Sequence, residues 1–175
     1  MNITILGCGG SFGSPLAWER YGNIDINNKR NFRTRSSVLI NNRIISEIGL
    51  GLVIFLGIGL KDTDEDSLWL SNKIAKLRIF SDSQGKMNNS IKDIGGQAIV
   101  VSQFTLHAKT KKGNRPSYIN AADSKNAFSL YIQFKKDLSK LISQDVLSGE
   151  FGADMQVSLV NDGPVTIIID TKNKE

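Results

Sequence analysis

The chain has 175 residues, of which 40% are hydrophobic and 22% are charged. This balance predicts one domain that folds around its own core without disulfides or metals. The single cysteine excludes an internal disulfide framework, and the longest apolar stretch, residues 50–60, is too short and too rich in glycine to span a membrane. No segment has the form of a secretory signal, so we expect a cytoplasmic protein, and the formal net charge of +5 favours a polyanionic partner.

The N-terminal segment begins as a strand and then loses its periodicity. Ile3 and Ile5 alternate with Thr4, which predicts a strand over residues 2–6 with one buried face. The glycine and asparagine content of residues 7–33 predicts an exposed insertion without a metal or an enzymatic role.

Residues 2–13, together with Arg-Thr-Arg-Ser-Ser at 33–37, resemble the opening of metallo-β-lactamase-fold phosphodiesterases. That fold holds two zinc ions with clustered histidines. The chain contains only His107, so a dinuclear zinc site cannot be built from it and we predict no metal.

Three strands are predicted next. Residues 37–40 and 43–48 flank Asn41 and Asn42, a pair that tolerates positive φ and therefore predicts a two-residue hairpin. The continuous apolar run over residues 52–58 predicts a strand that is buried on both faces.

Two helices are predicted from their caps and their apolar spacing. Thr63, with Asp66 three residues later, resembles a capping box and starts a helix over residues 64–77. Asp123 can cap a second helix, in which apolar residues recur at three- and four-residue intervals. These residues are Ala127, Leu130, Phe134, Leu138 and Leu141.

The remaining pattern is that of strands. Residues 97–103 predict a strand, and residues 155–160 and 165–170 predict a final hairpin with an Asn-Asp-Gly-Pro turn. In that turn Gly163 tolerates any φ, whereas Pro164 fixes its own. The irregular alternation of strands and helices predicts an α/β domain.

A series of short motifs carries a family resemblance. The motifs are Ser-Glu-Ile-Gly at residues 46–49 with 51–57, Arg-Ile-Phe-Ser-Asp at 78–82 with 85–88, Gly-Gly at 95–96, Ser-Gln-Phe-Thr-Leu at 102–106, Gly-Asn-Arg-Pro-Ser at 113–117, and residues 155–166. In this order they resemble the D-aminoacyl-tRNA deacylases. Each motif alone is weak, but their common order over most of the chain is specific.

The resemblance implies a β-barrel-like α/β fold with flanking helices that forms a homodimer. It also implies a hydrolase that cleaves the ester of D-aminoacyl-tRNA, and in many members that of glycyl-tRNA, as chiral proofreading in translation. The implied partner is aminoacyl-tRNA, and no metal or organic cofactor is implied.

The same resemblance assigns the catalytic residues. The backbone N–H groups of Phe104 and Thr105 would meet the carbonyl of the substrate, where they stabilise developing negative charge. Ser102 and Gln103 would shape the pocket for the terminal adenosine. The 2′-hydroxyl of the terminal ribose would assist the attack on the ester, so that the RNA supplies part of the chemistry.

A Gly-Pro dipeptide is the implied source of chiral selection. By this resemblance, the Gly163-Pro164 peptide bond would be cis, and the dipeptide would enter the active site of the partner subunit. There its carbonyls would hold the α-amino group of the substrate and its backbone would exclude an L side chain. An Arg of a Gln-Arg-Val sequence buttresses the dipeptide, but here Asn31 and Phe32 take the Gln and Arg places. The candidates to replace that Arg are Arg30, Arg33 and Arg35.

A basic run follows the catalytic motif. Residues 107–117 contain no acidic residue, and they form either a solvated loop or a rim that contacts the phosphates of tRNA. The basic residues of this run are Lys109, Lys111, Lys112 and Arg115.

Two other functions stay open at this point. In a strand, Thr105 and His107 would share a face, which permits the hydroxyl–imidazole dyad of a small-molecule esterase. Alternatively, an atypical N-terminal segment over residues 1–32, joined to a deacylase domain over residues 33–175, permits a chimera that binds tRNA with impaired catalysis. In that division, the strand at residues 2–6 would replace the first strand of the family.

Overall fold

The computed structural model describes residues 1–8 and 36–174, and of residues 2–8 it describes the backbone alone. The strands are β1 (Asn2–Cys8), β2 (Ser36–Ile40), β3 (Arg43–Ile48), β4 (Gly51–Gly57), β5 (Phe80–Ser81), β6 (Met87–Asn89), β7 (Gln97–Ser102), β8 (Leu147–Ser148), β9 (Gln156–Ser158) and β10 (Asn161–Asp170). The helices are α1 (Asp64–Lys76), α2 (Ser124–Ile142) and a short 3₁₀ helix over Phe104–His107. None of the described helices is long and apolar enough to cross a membrane.

The main sheet has five strands in the order β10-β1-β4-β7-β8. β4 runs parallel to β7, whereas β1 runs antiparallel to both β4 and β10. The side chains of β4 and β7 are buried on both faces, which explains their continuous apolar runs. The strands predicted over residues 52–58 and 97–103 are confirmed: β4 begins and ends one residue earlier than predicted, and β7 begins as predicted and ends one residue earlier.

A three-stranded sheet in the order β3-β2-β9 covers one face of the main sheet. Its buried residues Val38 and Ile48 pack against alternate residues of β7. Asn41 and Asn42 join β2 to β3 at φ values of 50° and 63°. The predicted Asn-Asn hairpin is therefore confirmed, since both central residues adopt positive φ.

The two long helices cover the opposite face of β4 and β7. The predicted caps are confirmed, because Asp66 accepts from the N–H of Thr63 and Asp123 accepts from the N–H groups at the start of α2. Leu130 and Leu141, which were predicted on the core face of α2, are only partly buried.

Tyr131 takes a central place in α2 that periodicity alone did not assign to it. Its side chain is only 2% exposed, and its hydroxyl donates to the carbonyl of Val100 in β7 at 2.8 Å. This burial raises the pKa of Tyr131 to about 12. Tyr131 is thus part of the core, and it links α2 directly to the main sheet.

The expected barrel-like closure is wrong, because the strands within residues 1–8 and 36–174 form open sheets. β10 pairs with β1 and β8 pairs with β7, so these two strands are the edges of the main sheet. β8 has only two residues, and a barrel requires its last strand to pair along the first. β5 and β6 form a separate two-stranded ribbon.

The predicted C-terminal hairpin is also wrong. β9 pairs with β2 in the small sheet, whereas β10 pairs with β1 in the main sheet. The two strands follow each other closely along the chain but find their hydrogen-bond partners in different sheets. The Asn-Asp-Gly-Pro sequence therefore lies at the start of β10 and does not turn one strand back onto the other.

The strand predicted over residues 2–6 is confirmed as β1, which extends to Cys8. It lies between β4 and β10 and pairs with both. The predicted insertion over residues 7–33 falls almost wholly outside the described residues. The same holds for Asn31, Phe32 and the three arginine candidates.

An ion pair joins the start of α1 to the chain that follows β10. Asp66 accepts from the hydroxyl of Thr63 at 3.1 Å, and Nζ of Lys172 lies 2.7 Å from its Oδ2. Burial by itself raises the pKa of this carboxyl, but hydrogen bonds from Lys172, Thr171 and Thr63 outweigh burial and hold the pKa well below its usual range.

We expect Asp66→Asn to lower the free energy of unfolding by about 2 kcal/mol at neutral pH, because charged hydrogen bonds are lost at a buried position. Since the pKa is depressed in the folded state, the contribution of Asp66 is present above its unfolded pKa of about 4 and is lost as the pH falls below that value. Urea unfolding of the wild type from about pH 6 to about pH 3 should show this loss, which should be smaller in Asp66→Asn because the lowered pKa values of Asp82, Asp93 and Asp123 remain. Asp64→Asn, at an exposed position of the same helical turn, is the control and should keep the wild-type pH profile. An unchanged profile in Asp66→Asn would contradict the assignment.

Candidate functional site

A cavity of about 600 Å³ opens at the carboxyl end of β7. Ser102, Gln103 and Phe104 line one part of it. The rest of the lining includes Tyr118, the first turn of α2, and residues 151–155. A mixed apolar and polar cavity of this size can hold a nucleoside with an attached acyl group.

The chain turns away from the main sheet directly after β7. The N–H of Gln103 still donates to the carbonyl of Leu56 at 2.8 Å, and the 3₁₀ helix then begins at Phe104. Within the described part of the chain, the backbone N–H groups of Phe104 and Thr105 form no hydrogen bond. Two adjacent unpaired donors beside a cavity can bind an oxyanion.

The hydroxyl–imidazole dyad is not formed. The hypothesis assumed that Thr105 and His107 continue a strand, whereas both residues lie in the 3₁₀ helix. Oγ1 of Thr105 accepts from Nε2 of Gln103 at 2.5 Å, and Nε2 of His107 is buried without a partner among the described residues. Because a general base must reach the proton that it removes, His107 does not activate Thr105 in this arrangement.

Gly163 and Pro164 lie in a bulge of β10. The strand pairs with β1 at Asn161 and again at Thr166, and the residues between these positions loop out. The peptide bond between Gly163 and Pro164 is cis, as the family resemblance implied. Gly163 has a φ of 113°, and a Cβ at this position would lie 2.8 Å from Cγ2 of Val165, so the bulge requires glycine.

Asn161 spans the base of this bulge with its side chain. Its Oδ1 accepts from the N–H of Val165 at 3.2 Å, and its Nδ2 donates to Oγ1 of Thr166 at 3.0 Å. The amide thus closes the loop from within the same segment. Sequence reasoning looked for a distant arginine in this role and missed Asn161, although Asn followed by Gly-Pro and Thr was visible in the sequence.

The bulge and the cavity lie at opposite ends of β4. Asn161 lies opposite Cys8, and Cys8 lies opposite Gly51 at the start of β4. Ser102 lies beside Leu56, near the other end. These two positions of β4 are about 16 Å apart, at about 3.3 Å per residue. No described residue of β10 lines the cavity, so one chain does not bring its Gly-Pro dipeptide to its own Ser-Gln-Phe-Thr segment.

The basic run forms an anchored loop beside the cavity. Lys109 and Ser117 exchange two backbone hydrogen bonds, of 2.8 and 3.0 Å, which close the loop at its base. The basic side chains of the loop are exposed, and none of them forms an ion pair with a carboxylate of the described residues. Tyr118 follows the base of the loop directly and lines the cavity.

A family model described as D-Tyr-tRNA(Tyr) deacylase matches residues 33–170. A D-aminoacyl-tRNA deacylase of Akkermansia muciniphila is 54% identical over 142 residues, which are 81% of this chain and 95% of the relative. The chain belongs to the D-aminoacyl-tRNA deacylase family. A protein of the same name from Flavobacterium psychrophilum is 56% identical over equal shares of both chains.

Two solved structures resemble the fold of this deacylase-family chain. One, named c-Myc DNA Unwinding Element Binding Protein, has a TM-score of 0.78 at 32% identity and covers 97% of this chain and 98% of its own. The other, a probable eukaryotic D-amino acid tRNA deacylase, has a TM-score of 0.71 over 96% of this chain and 97% of its own. At 14% identity, the second likeness concerns the fold alone.

The metallo-β-lactamase resemblance of the first residues gains no support from these comparisons, since the deacylase-family match begins at residue 33. In the part of the chain that the structure describes, no group of three or more His, Cys, Asp or Glu residues is arranged to hold a metal ion.

Sequence reasoning also missed one part of the cavity wall. Residues 151–155 line it, but the sequence assigned a role only to the strand expected to begin at Met155. Gly152, with a φ of 78°, marks the tight loop that brings this segment to the cavity. A glycine directly after an aromatic residue was the available signal, and it is weak without the fold.

The bridge made by Asn161 predicts a local effect. Asn161→Ala should accelerate hydrogen exchange at the amide of Val165 by about fivefold, because that N–H loses an acceptor worth about 1 kcal/mol. Thr166→Val is the matched control, since it removes the second bond of Asn161 and leaves the acceptor of Val165 in place. Equal exchange in the wild type and in Asn161→Ala, followed by NMR, would show that the bridge does not hold the bulge.

Proposed function

We propose that the protein hydrolyses the ester of D-aminoacyl-tRNA to free D-amino acid and tRNA. Membership of the deacylase family supports this proposal. The observation that carries it is the pair of backbone N–H groups at Phe104 and Thr105, which have no acceptor among the described residues and lie beside a cavity that can hold an aminoacyl-adenosine. The same reaction would hydrolyse glycyl-tRNA, because glycine has no side chain for the site to exclude.

The proposed reaction relies on positioning and on backbone dipoles. Water attacks the carbonyl carbon, and the N–H groups of Phe104 and Thr105 stabilise the negative charge on the carbonyl oxygen. The bond from carbon to the ribose oxygen then breaks, and that oxygen takes up a proton as the tRNA leaves. Ser102 and Gln103 shape the wall against the terminal adenosine, and the hydrogen bond from Gln103 to Thr105 holds this turn.

The selection against L-amino acids is proposed to need a second copy of the chain. Gly163 and Pro164 would enter the cavity of the partner subunit, where their carbonyls hold the α-amino group and their backbone leaves no space for an L side chain. The separation of about 16 Å within one chain supports this arrangement, because a composite site then requires two chains.

Exposed apolar residues on sheet edges support a homodimer. Ile168 on the edge strand β10 is 76% exposed, and Ile44 on the edge strand β3 is also exposed. Uncovered apolar residues on an edge strand invite pairing or packing with another chain. Two equivalent sites would follow from a two-fold symmetric dimer.

The remaining proposals concern the partner and the N-terminal segment. Lys109, Lys111, Lys112 and Arg115 are proposed to contact tRNA, and we propose a cytoplasmic location, where aminoacyl-tRNA is used. We also propose the division into an atypical segment 1–32 and a deacylase domain 33–175, in which β1 takes the place of the first strand. The pairing of β1 with both β4 and β10 supports that role.

The protein is expected to release D-tyrosine from D-tyrosyl-tRNA with little action on the L form and without inhibition by a chelator. His107→Ala should retain activity within about fivefold, because no general base is needed, whereas loss of a general base costs about a hundredfold or more. Loss of the tRNA ester, followed with matched D- and L-tyrosyl-tRNA, measures both effects.

Three outcomes would contradict the proposal. Equal rates on the two enantiomers would exclude chiral selection, and a thousandfold loss in His107→Ala would favour the dyad. Binding of D-tyrosyl-tRNA without turnover would identify a tRNA-binding protein with impaired catalysis.

A further inference from the structure

Two exposed aromatic rings stand at the mouth of the cavity. The ring centroids of Phe104 and Tyr118 are 5.0 Å apart, at an interplanar angle of 75°. Phe104 is 58% exposed and Tyr118 is 36% exposed, so both rings are accessible to solvent. Because an edge-to-face pair uses the edge of one ring and one face of the other, ring faces remain available to a third aromatic group.

The position of this aromatic pair is fixed from both sides. Phe104 begins the 3₁₀ helix, which ends two residues before Lys109. Lys109 is bonded to Ser117, and Ser117 is followed by Tyr118, which returns to Phe104 through the ring contact. The backbone bonds and the ring contact thus make one closed unit that joins the cavity, the aromatic pair and the basic loop.

The charge of this unit has one sign. The loop from Lys109 to Ser117 carries four basic residues and no acidic residue. No carboxylate of the described residues forms an ion pair with them. Aromatic faces next to unneutralised cations are the combination that binds single-stranded nucleic acid, in which bases stack on the rings and phosphates meet the cations.

We propose that Phe104, Tyr118 and the basic loop bind the unpaired RNA nucleotides that directly precede the terminal adenosine. This inference rests on the proposed function, which puts that adenosine in the cavity. The base before it then stacks on the aromatic pair at the mouth of the cavity. The phosphates on the 5′ side of that base contact Lys111, Lys112 and Arg115. A peptide partner would not need stacked rings, and a folded acidic protein would not reach the cavity.

The aromatic pair and the basic loop should favour the ester on an RNA over the ester on a single nucleoside. An ester on a minihelix with an unpaired 3′ end gains the stack and the phosphate contacts, whereas an ester on adenosine alone gains neither. We expect kcat/KM to be at least about a hundredfold higher for D-tyrosyl-minihelix than for D-tyrosyl-adenosine, from one stack and two or three phosphate contacts together.

The first test uses this ratio. Tyr118→Leu keeps an apolar side chain at the mouth and removes the ring, so the ratio of kcat/KM for the two substrates should fall about tenfold. In the double variant Lys111→Gln, Lys112→Gln, the dependence of log KM for the minihelix on log salt should weaken by about 1.4, as expected for two lost phosphate contacts on a single strand. The control is the double variant Lys136→Gln, Lys140→Gln on α2, which changes the charge by the same amount. Along the helix axis these two residues lie about 14 and 20 Å from Ala127 in the cavity wall.

The second test reads the stack directly. An RNA strand with 2-aminopurine in place of the penultimate base should lose fluorescence on binding to the wild type and to the α2 control, and much less on binding to Tyr118→Leu. Equal quenching with the wild type and with Tyr118→Leu would overturn the proposed stack.

The outcomes separate this inference from the proposed function. Failure to hydrolyse either ester would contradict the proposed function itself. Hydrolysis of both esters with equal kcat/KM, or a ratio and a quenching that Tyr118→Leu leaves unchanged, would overturn the inference and leave the proposed function intact.

Discussion

The parallel pairing of β4 with β7 fixes where every part of the site lies. The two strands approach so closely at Gly51 that a Cβ there would lie 1.8 Å from the carbonyl oxygen of Gln97, so only glycine permits this register. The same register puts Ser102 beside Leu56 and aims the turn after β7 at the cavity. On its other side, β4 pairs with β1, and β1 holds β10 with its bulge at the far end. The length of β4 therefore separates the proposed oxyanion donors from the Gly-Pro dipeptide.

If the site is built from backbone groups, the side chains near it are needed to hold the backbone in place and not to react. The proposed donors are the N–H groups of Phe104 and Thr105, and the proposed chiral filter is the backbone around Gly163. The side chains near these groups hold the turns: Gln103 bonds to Thr105, and Asn161 bridges the bulge. Such a site would select the substrate by its shape at the α-carbon and would leave the amino-acid side chain free to vary. In the proposed complex, the RNA would be the part of the substrate that side chains recognise, through the aromatic pair and the basic loop.

Local signals predicted the local structure well. Asn41 and Asn42 predicted a hairpin, Thr63 and Asp123 predicted helix starts, and the apolar runs predicted β4 and β7, because each signal acts within a few residues. The errors concern partners that are distant in sequence. Sequence alone did not show that β9 and β10 join different sheets, because the choice between neighbouring and distant partners depends on tertiary packing. Thr105 and His107 were placed in a strand for the same reason, since the apolar run gave no sign that the chain turns at Gln103. The motifs supplied the candidate residues of the site, and the fold was needed to show that one chain holds two groups of these candidates apart.

The central claim is that each site combines the oxyanion donors of one subunit with the Gly-Pro bulge of the other, and subunit mixing tests it directly. Phe104→Pro removes one proposed donor at the first position of the 3₁₀ helix, where proline is tolerated, and Gly163→Val disrupts the bulge at its positive φ. Each variant alone should be inactive on D-tyrosyl-tRNA. After the two are unfolded and refolded together in equal amounts, heterodimers carry one intact composite site, so activity should recover to about one quarter of the wild-type value. A mixture that forms heterodimers and stays as inactive as its components would contradict the account.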